Sequence, residues 1–259
     1  MTVCAYKFIK LSRVHSISIF LITLCLFYAQ PLHGTVLRGT RSEHSTQEES
    51  CVWRSQYKQD EFLEKNYFKG RRGGVYVDLG AHDPYYLSNT AYFEKCRGWS
   101  GLCVDANVNH RQSFEIQRSC KFIGACVTDK KTKQDTIRNM DSEDYLGSGT
   151  QIVKCIPIMD ILKEHNIKHV DYLSIDIEGH EWPVIQQLNF SLVSVSVISV
   201  ETWHGNHTQI RDYLQDAGFV HAAEIGADDI YYWRGRPWLP EQTLRWRKDV
   251  RDIRPHKEY

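Results

Sequence analysis

Several common signatures are missing from this 259-residue chain. No Cys-x-x-Cys pair occurs, which removes the usual frame of a zinc site. No Gly-x-Gly-x-x-Gly run is present, so the dinucleotide fingerprint is absent. No Asp-x-Asp loop motif appears, which weakens a nucleotide-sugar transferase reading. Neither sign of charge prevails, since Lys plus Arg and Asp plus Glu each total 32. That balance gives no electrostatic case for nucleic acid as a partner. Internal repeats and low-complexity tracts are lacking too. Long apolar runs are scarce: the main one covers residues 16–29, short of the ~20 residues that cross a bilayer.

That single run has a targeting context. Lys7, Lys10 and Arg13 precede it, and a basic flank before an apolar core is a secretory signal. Two readings stand. The length suits a cleaved signal peptide, which gives a secreted product. Yet no clean small-x-small site follows, because Phe27 precedes Ala29 and Leu32 precedes Gly34 at the paired position. Stretched over 14–32, the segment serves as a signal anchor, with the basic flank cytosolic and the body luminal. The expectation is a single-pass type II membrane protein of the endoplasmic reticulum or Golgi.

The cysteines agree with an oxidising lumen. Beyond the targeting segment lie Cys51, Cys96, Cys103, Cys120, Cys126 and Cys155. Six permit three disulfides in fifteen connectivities, although Cys103 and Cys126 also suit buried free thiols. Sequons occur at Asn189 and Asn206. The expected organisation is a targeting segment over 1–34, a flexible stem over 35–50, a folded domain over 51–240 and a polar tail over 241–259.

Hydrophobic periodicity divides that domain into alternating elements. Strands are predicted over 75–78, 101–105, 121–127, 151–156, 172–176, 194–200, 219–225 and 229–233. Helices are predicted over 53–69, 89–97, 108–118, 158–165, 180–188 and 206–217, with an excursion or hairpin over 128–150. Ser88 suits an N-cap, and Gly98 suits a helix end. Alternating βα units specify an α/β fold: a doubly wound, mostly parallel sheet with helices on both faces.

Four predicted strand ends carry an acid: Asp78, Asp105, Asp176 and Glu201. In such sheets ligands sit outside the carboxyl ends of the strands, so these side chains are candidates for one site. Gly80 permits close approach of backbone to a ligand. Asp105 offers acceptors for two ribose hydroxyls, and Asn89 and Asn107 add polar contacts. His180, which titrates near neutrality, is the first candidate base, followed by Asp176 and His204. His82 reads as a loop residue shaping the turn. Trp99, Trp182, Trp203 and Trp233 read as packing or as walls of an acceptor cleft. The Asp176-x-Glu178 pair supplies too few donors for a metal, and none is assigned.

The ordered motifs Asp78-Leu79-Gly80-Ala81-His82-Asp83-Pro84, Ser88-Asn89-Thr90, Gly101-Leu102-Cys103-Val104-Asp105, Asp176-Ile177-Glu178-Gly179-His180-Glu181 and Gly226-Ala227-Asp228-Asp229-Ile230 resemble the FkbM-type methyltransferase family. The resemblance runs from about 75 to 233. It implies a class I methyltransferase fold, a seven-stranded sheet with its last strand antiparallel, and S-adenosyl-L-methionine as cofactor. Asp78, Gly80 and Ala81 then fall in the cofactor loop, Asp105 takes the ribose, and Asp176, Glu178 and His180 lie beside the reacting methyl group.

Two functions follow from that resemblance and from the targeting segment. One is methyl transfer to a hydroxyl of a small-molecule or glycan acceptor in the secretory pathway. The other rests on similarity to the Star family of membrane proteins, whose arrangement of a short cytosolic tail, an apolar segment and a luminal domain is alike. That reading implies an inactive domain assisting transport of growth-factor-type protein cargo. S-adenosylmethionine is made in the cytosol and carries charge, so a luminal enzyme requires its import. The retained carboxylates favour an enzyme.

Overall fold

A computed structural model describes residues 51–129, 132–137 and 151–235. The targeting segment, stem and polar tail lie outside the described residues. Among the described residues no helix is long and apolar enough to cross a membrane.

The central sheet has seven strands in the order β3-β2-β1-β7-β8-β10-β9. These are β1 (Val75–Leu79), β2 (Ser100–Asp105), β3 (Lys121–Gly124), β7 (His169–Ile175), β8 (Ser194–Glu201), β9 (Phe219–Ile225) and β10 (Asp228–Trp233). Neighbours from β3 to β8 run parallel, while β10 is antiparallel to both β8 and β9. The chain first builds outward from β1 to β3, then crosses to β7 on the other side. The order therefore reverses between β1 and β7, which opens a crevice at their carboxyl ends.

Period-two alternation decides what each face buries. Val77, Leu79, Leu102, Val104, Leu173, Ile175, Ile198 and Val200 point into one aliphatic core. Helices α4 (Ile158–Glu164), α5 (Glu181–Ile185) and α6 (His207–Asp216) cover this face through Ile158, Ile161, Leu162, Val184, Ile185, Ile210 and Leu214. Tyr76, Cys103, Tyr172, Val197 and Ile230 point the other way, into an aromatic core with Phe68, Phe93, Trp99 and Phe114. There α1 (Gln59–Leu63), which continues as a π turn over Glu64–Phe68, joins α2 (Ala91–Arg97) and α3 (Arg111–Gln117).

Some expectations shift. The strand predicted over 121–127 breaks at Ala125, whose N–H bonds to the Asp105 carbonyl at 2.9 Å. Its second half, β4 (Cys126–Val127), joins β6 (Gln151–Ile156) and β5 (Thr132–Ile137) in a separate three-stranded sheet. The helix predicted over 53–69 begins only at Gln59. The helix predicted over 89–97 starts at Ala91 with Thr90, not Ser88, at its N-cap position, and the Ser88 hydroxyl accepts the Ala91 N–H at 3.1 Å from just ahead of it. All six cysteines are paired, as Cys51–Cys96, Cys103–Cys120 and Cys126–Cys155. Cys103 and Cys126 are thus bonded rather than free thiols.

Under the aromatic face lies a fully enclosed ion pair. The Arg118 guanidinium donates to Glu94 at 3.1 Å, with both side chains at most 2% exposed. It also donates to the Pro84 carbonyl, Ser88 Oγ, Tyr76 Oη and Thr90 Oγ1 at 2.7–3.2 Å. A buried charge is tolerated only when paired and fully hydrogen-bonded, and removing one partner strands the other. Arg118→Met is therefore expected to cost about 3–5 kcal/mol, read as a lower urea midpoint. The double variant Arg118→Met/Glu94→Leu is expected to recover part of that loss.

Candidate active site

The switch-point rim is built from loops after β1, β2, β7, β8 and β9. Gly80 turns the chain out of β1 with φ +82°, and a Cβ there would fall 1.6 Å from the Asp176 carbonyl oxygen. Only glycine allows the loop and the end of β7 to touch this closely. The close approach inferred for Gly80 is thus made first against protein backbone. Ala81 follows, buried, with its N–H on the Val104 carbonyl at 3.1 Å.

The four strand-end acids separate into three environments. Asp78 lies one residue inside β1, 3% exposed, and accepts the Thr90 hydroxyl at 2.6 Å. It supports the loop from beneath instead of projecting into the crevice. Asp105 is buried at the end of β2 and is held by backbone amides: His82 N–H reaches Oδ2 and Asn107 N–H reaches Oδ1, each at 2.7 Å. Burial pushes its pKa up to about 6, with those two amides and His110 opposing the shift. Asn107 caps the short 3₁₀ turn by accepting the Asn109 N–H. Asp105 and Asn107 therefore shape the β2 end, and part of the acceptor capacity expected for ribose is already used.

Asp176 and Glu201 form the third environment, and these two converge. Asp176 keeps one edge toward solvent but is hemmed in by protein elsewhere. Burial raises it well above the ordinary carboxylate range, and the charges of Glu201, Asp228, Glu178 and Glu181 raise it further. Glu201 is raised by burial and by Glu178 and Glu181, while His204 and a hydrogen bond with Asp176 act against the rise. The charge on Glu201 therefore makes ionisation of Asp176 harder.

Asn89 bridges to this side. It is 7% exposed; its Nδ2 donates to Ser174 Oγ at 3.0 Å, and its Oδ1 has no hydrogen-bond partner. A buried carbonyl oxygen left bare costs free energy unless a donor arrives. Ser174 in turn accepts from Ser199, which bonds the Tyr172 hydroxyl.

The loop after β7 reassigns the histidines. Glu178 has a left-handed backbone, φ +55°, followed by Gly179 at φ +98°. Glu181 fixes this turn by accepting the N–H groups of Ile177 and Gly179 at 3.0 and 3.1 Å. The turn brings Glu178 Oε2 to His204 Nε2 at 3.0 Å. His180 instead stands exposed at the start of α5, with no side-chain cap bond. Among the described residues no hydrogen bond or ion pair links the first candidate base to the carboxyl cluster, whereas His204, the third, contacts Glu178 and Glu201.

Sequence reasoning missed Asp228, Glu181, Tyr57 and Gln59. Asp228 opens β10, 4% exposed, and accepts Gln59 Nε2 at 3.0 Å. Burial pushes it up to about 7, aided by Glu201, Asp229 and Glu181 against the Gln59 bond. Tyr57 covers Gly226, where a Cβ would meet its ring at 2.1 Å. Asp228 and Glu181 stood inside recognisable motifs; Tyr57 and Gln59 carried no signal, because their roles arise from folding over the rim. Of the tryptophans, Trp99 is core, Trp182 is half-buried, Trp233 is exposed, and Trp203 is 78% exposed beside His204.

Such a sheet, with its polar groups gathered where strand order reverses, defines an α/β enzyme of the class I methyltransferase type. Residues 78–220, more than half of the chain, match the methyltransferase FkbM domain. The chain belongs to that family, and its domain is that of a methyltransferase dependent on S-adenosylmethionine. A search of curated proteins finds no match. Among solved structures it is similar to a precorrin-6y C5,15-methyltransferase from Geobacter metallireducens, with 13% identity, TM-score 0.38, and coverage of 69% of this chain and 88% of that one. A likeness that distant carries no argument.

The raised carboxyls set a sign for pH dependence. Asp228 and Asp105 bind protons more tightly folded than unfolded, so stability falls as pH rises from the ordinary value of 3.8 through about 6 and 7. Asp228→Asn is expected to raise the melting temperature at pH 8, where the native carboxylate is charged, by roughly 4 °C or more. The gain should vanish at pH 4 to 5. Parallel melting curves at the two pH values check this.

Proposed function

We propose that the protein is an O-methyltransferase of the secretory pathway, acting on a hydroxyl of a small-molecule or glycan acceptor. The observation that carries this reading is the Asp176–Glu201 carboxyl pair at the switch point of an FkbM domain. S-adenosylmethionine, when bound, supplies a methyl group already activated on a sulfonium. The residues present suit a cationic, donor-rich ligand. Asn89 Oδ1 is a buried acceptor awaiting a donor, and the rim is rich in carboxylates. Gly80, Ala81, Asp105 and Asn107 hold the loops that border the crevice.

An attacking hydroxyl must lose its proton. The Asp176–Glu201 pair is the group to take it, since a carboxyl with a raised pKa is a better base than an ordinary one. The rest of the acceleration comes from holding donor and acceptor in line. Asp176→Asn is expected to lower kcat by about 100-fold or more while ligand binding persists. The wild-type rate should rise with pH as the pair ionises. Calorimetric titration of the full-length protein with S-adenosylmethionine and its demethylated product is the direct test, with micromolar binding expected.

One observation favours the second, Star-like reading. Each Asp105 oxygen already accepts one backbone N–H, which leaves fewer acceptor sites for ribose. Absence of binding by correctly folded protein would select cargo transport over catalysis.

The luminal assignment is supported by three cystine bridges and by the exposure of Asn189 and Asn206. Anchoring would come from the apolar run at 16–29. Peptide mapping of protein from secretory cells is expected to recover the three pairs and a glycan on at least one sequon. Free thiols with unmodified asparagines would sink this placement.

A further inference from the structure

The rim holds five acids, Asp176, Glu178, Glu181, Glu201 and Asp228, and among the described residues no Lys or Arg forms an ion pair with any of them. Glu181 is committed to backbone N–H groups of its own loop, and Asp228 accepts from Gln59. Glu178 and Glu201 share the His204 imidazole, and Glu201 also keeps its hydrogen bond with Asp176.

Glu178, Glu201 and His204 each turn one ligand-type atom toward the others, all within 4.8 Å. His204 Nε2 lies 3.0 Å from Glu178 Oε2 and 3.6 Å from Glu201 Oε2. Two donors each about 2.1 Å from one cation are separated by about 3.0 Å at octahedral and 3.4 Å at tetrahedral angles. The three atoms are close enough to share one cation. A second observation is independent of charge: Glu201 Oε2 is shut away from solvent and receives no hydrogen bond. A third is the left-handed backbone at Glu178, a conformation that costs free energy and clusters at functional sites.

We propose that Glu178, Glu201 and His204 bind a divalent transition cation. Two carboxylates neutralise its charge, and three ligands leave positions open for water or an acceptor oxygen. Two hard oxygens and one imidazole suit Mn²⁺ better than Ca²⁺ or Mg²⁺, which favour oxygen alone. Sequence reading assigned no metal because Asp176-x-Glu178 was too small a set; Glu201 and His204 arrive from the end of β8 and the loop after it. A similar trio, His207, Glu224 and Asp229, is a different case. There Arg211 already lies 2.9 Å from Glu224 and 3.4 Å from Asp229, so a guanidinium supplies the positive charge.

The test uses full-length protein stripped with EDTA and titrated with Mn²⁺, with the free-ion electron paramagnetic resonance signal as readout. One equivalent should be taken up. Glu178→Gln and His204→Ala should each weaken uptake more than about tenfold, while His207→Ala should leave it unchanged. Both rim positions are exposed, so melting curves should match wild type and separate lost binding from lost folding. No uptake by natively melting wild type, or undiminished uptake in the Glu178→Gln/His204→Ala double variant, overturns the site. S-adenosylmethionine calorimetry on the stripped protein keeps the outcomes distinct. Cofactor binding without Mn²⁺ uptake sinks the cation site alone, and uptake without cofactor binding sinks the transferase reading alone.

Discussion

One guanidinium holds the architecture of the rim in place. Arg118 is withdrawn from water, so each of its donors must end on protein. Those donors reach β1 through Tyr76, α2 through Glu94, and the intervening loop through Pro84, Ser88 and Thr90. Thr90 in turn donates a hydrogen bond from its hydroxyl to Asp78. The position of Asn89, one residue earlier, follows from these constraints, as does its reach across to Ser174 on β7. A charge buried far from the crevice thereby fixes the loop that borders it.

Burial alone does not determine what the acids can do. Asp105 and Asp176 both sit at strand ends and are both desolvated. Asp105 is partly compensated by two amide donors that hold it in the loop. Asp176 faces further carboxyls instead, and its burial adds to their repulsion. Unresolved electrostatic cost is concentrated at the ends of β7 and β8, where α/β chemistry is usually placed.

Much of this was legible in the chain. Period-two strands separated by helical stretches specified the doubly wound sheet, and acids at the ends of Ile175 and Val200 marked the convergent pair. Legibility failed where tertiary contact decides. The stretch 121–127 looks like one strand because apolar residues run on past Lys121 to Val127, yet Ala125 turns back onto Asp105. His180 looked better placed than His204 by proximity in sequence. The left-handed turn at Glu178 and Gly179 instead directs Glu178 to the histidine from the neighbouring loop. Cysteine partners could not be read from spacing, because six residues leave fifteen solutions.

The segment 51–60 lies ahead of the family-matched region, which begins at 78, yet it walls the rim. Cys51 is bonded to Cys96, Ser55 bridges Leu87, Gln59 reaches Asp228, and Tyr57 covers Gly226. A fragment trimmed to the matched boundaries would keep every signature motif. It would also leave the Cys96 sulfur bereft of its mate, strip the amide from Asp228 and uncover Gly226. Conventional domain borders would thus yield a piece carrying the right residues around a dismantled cleft.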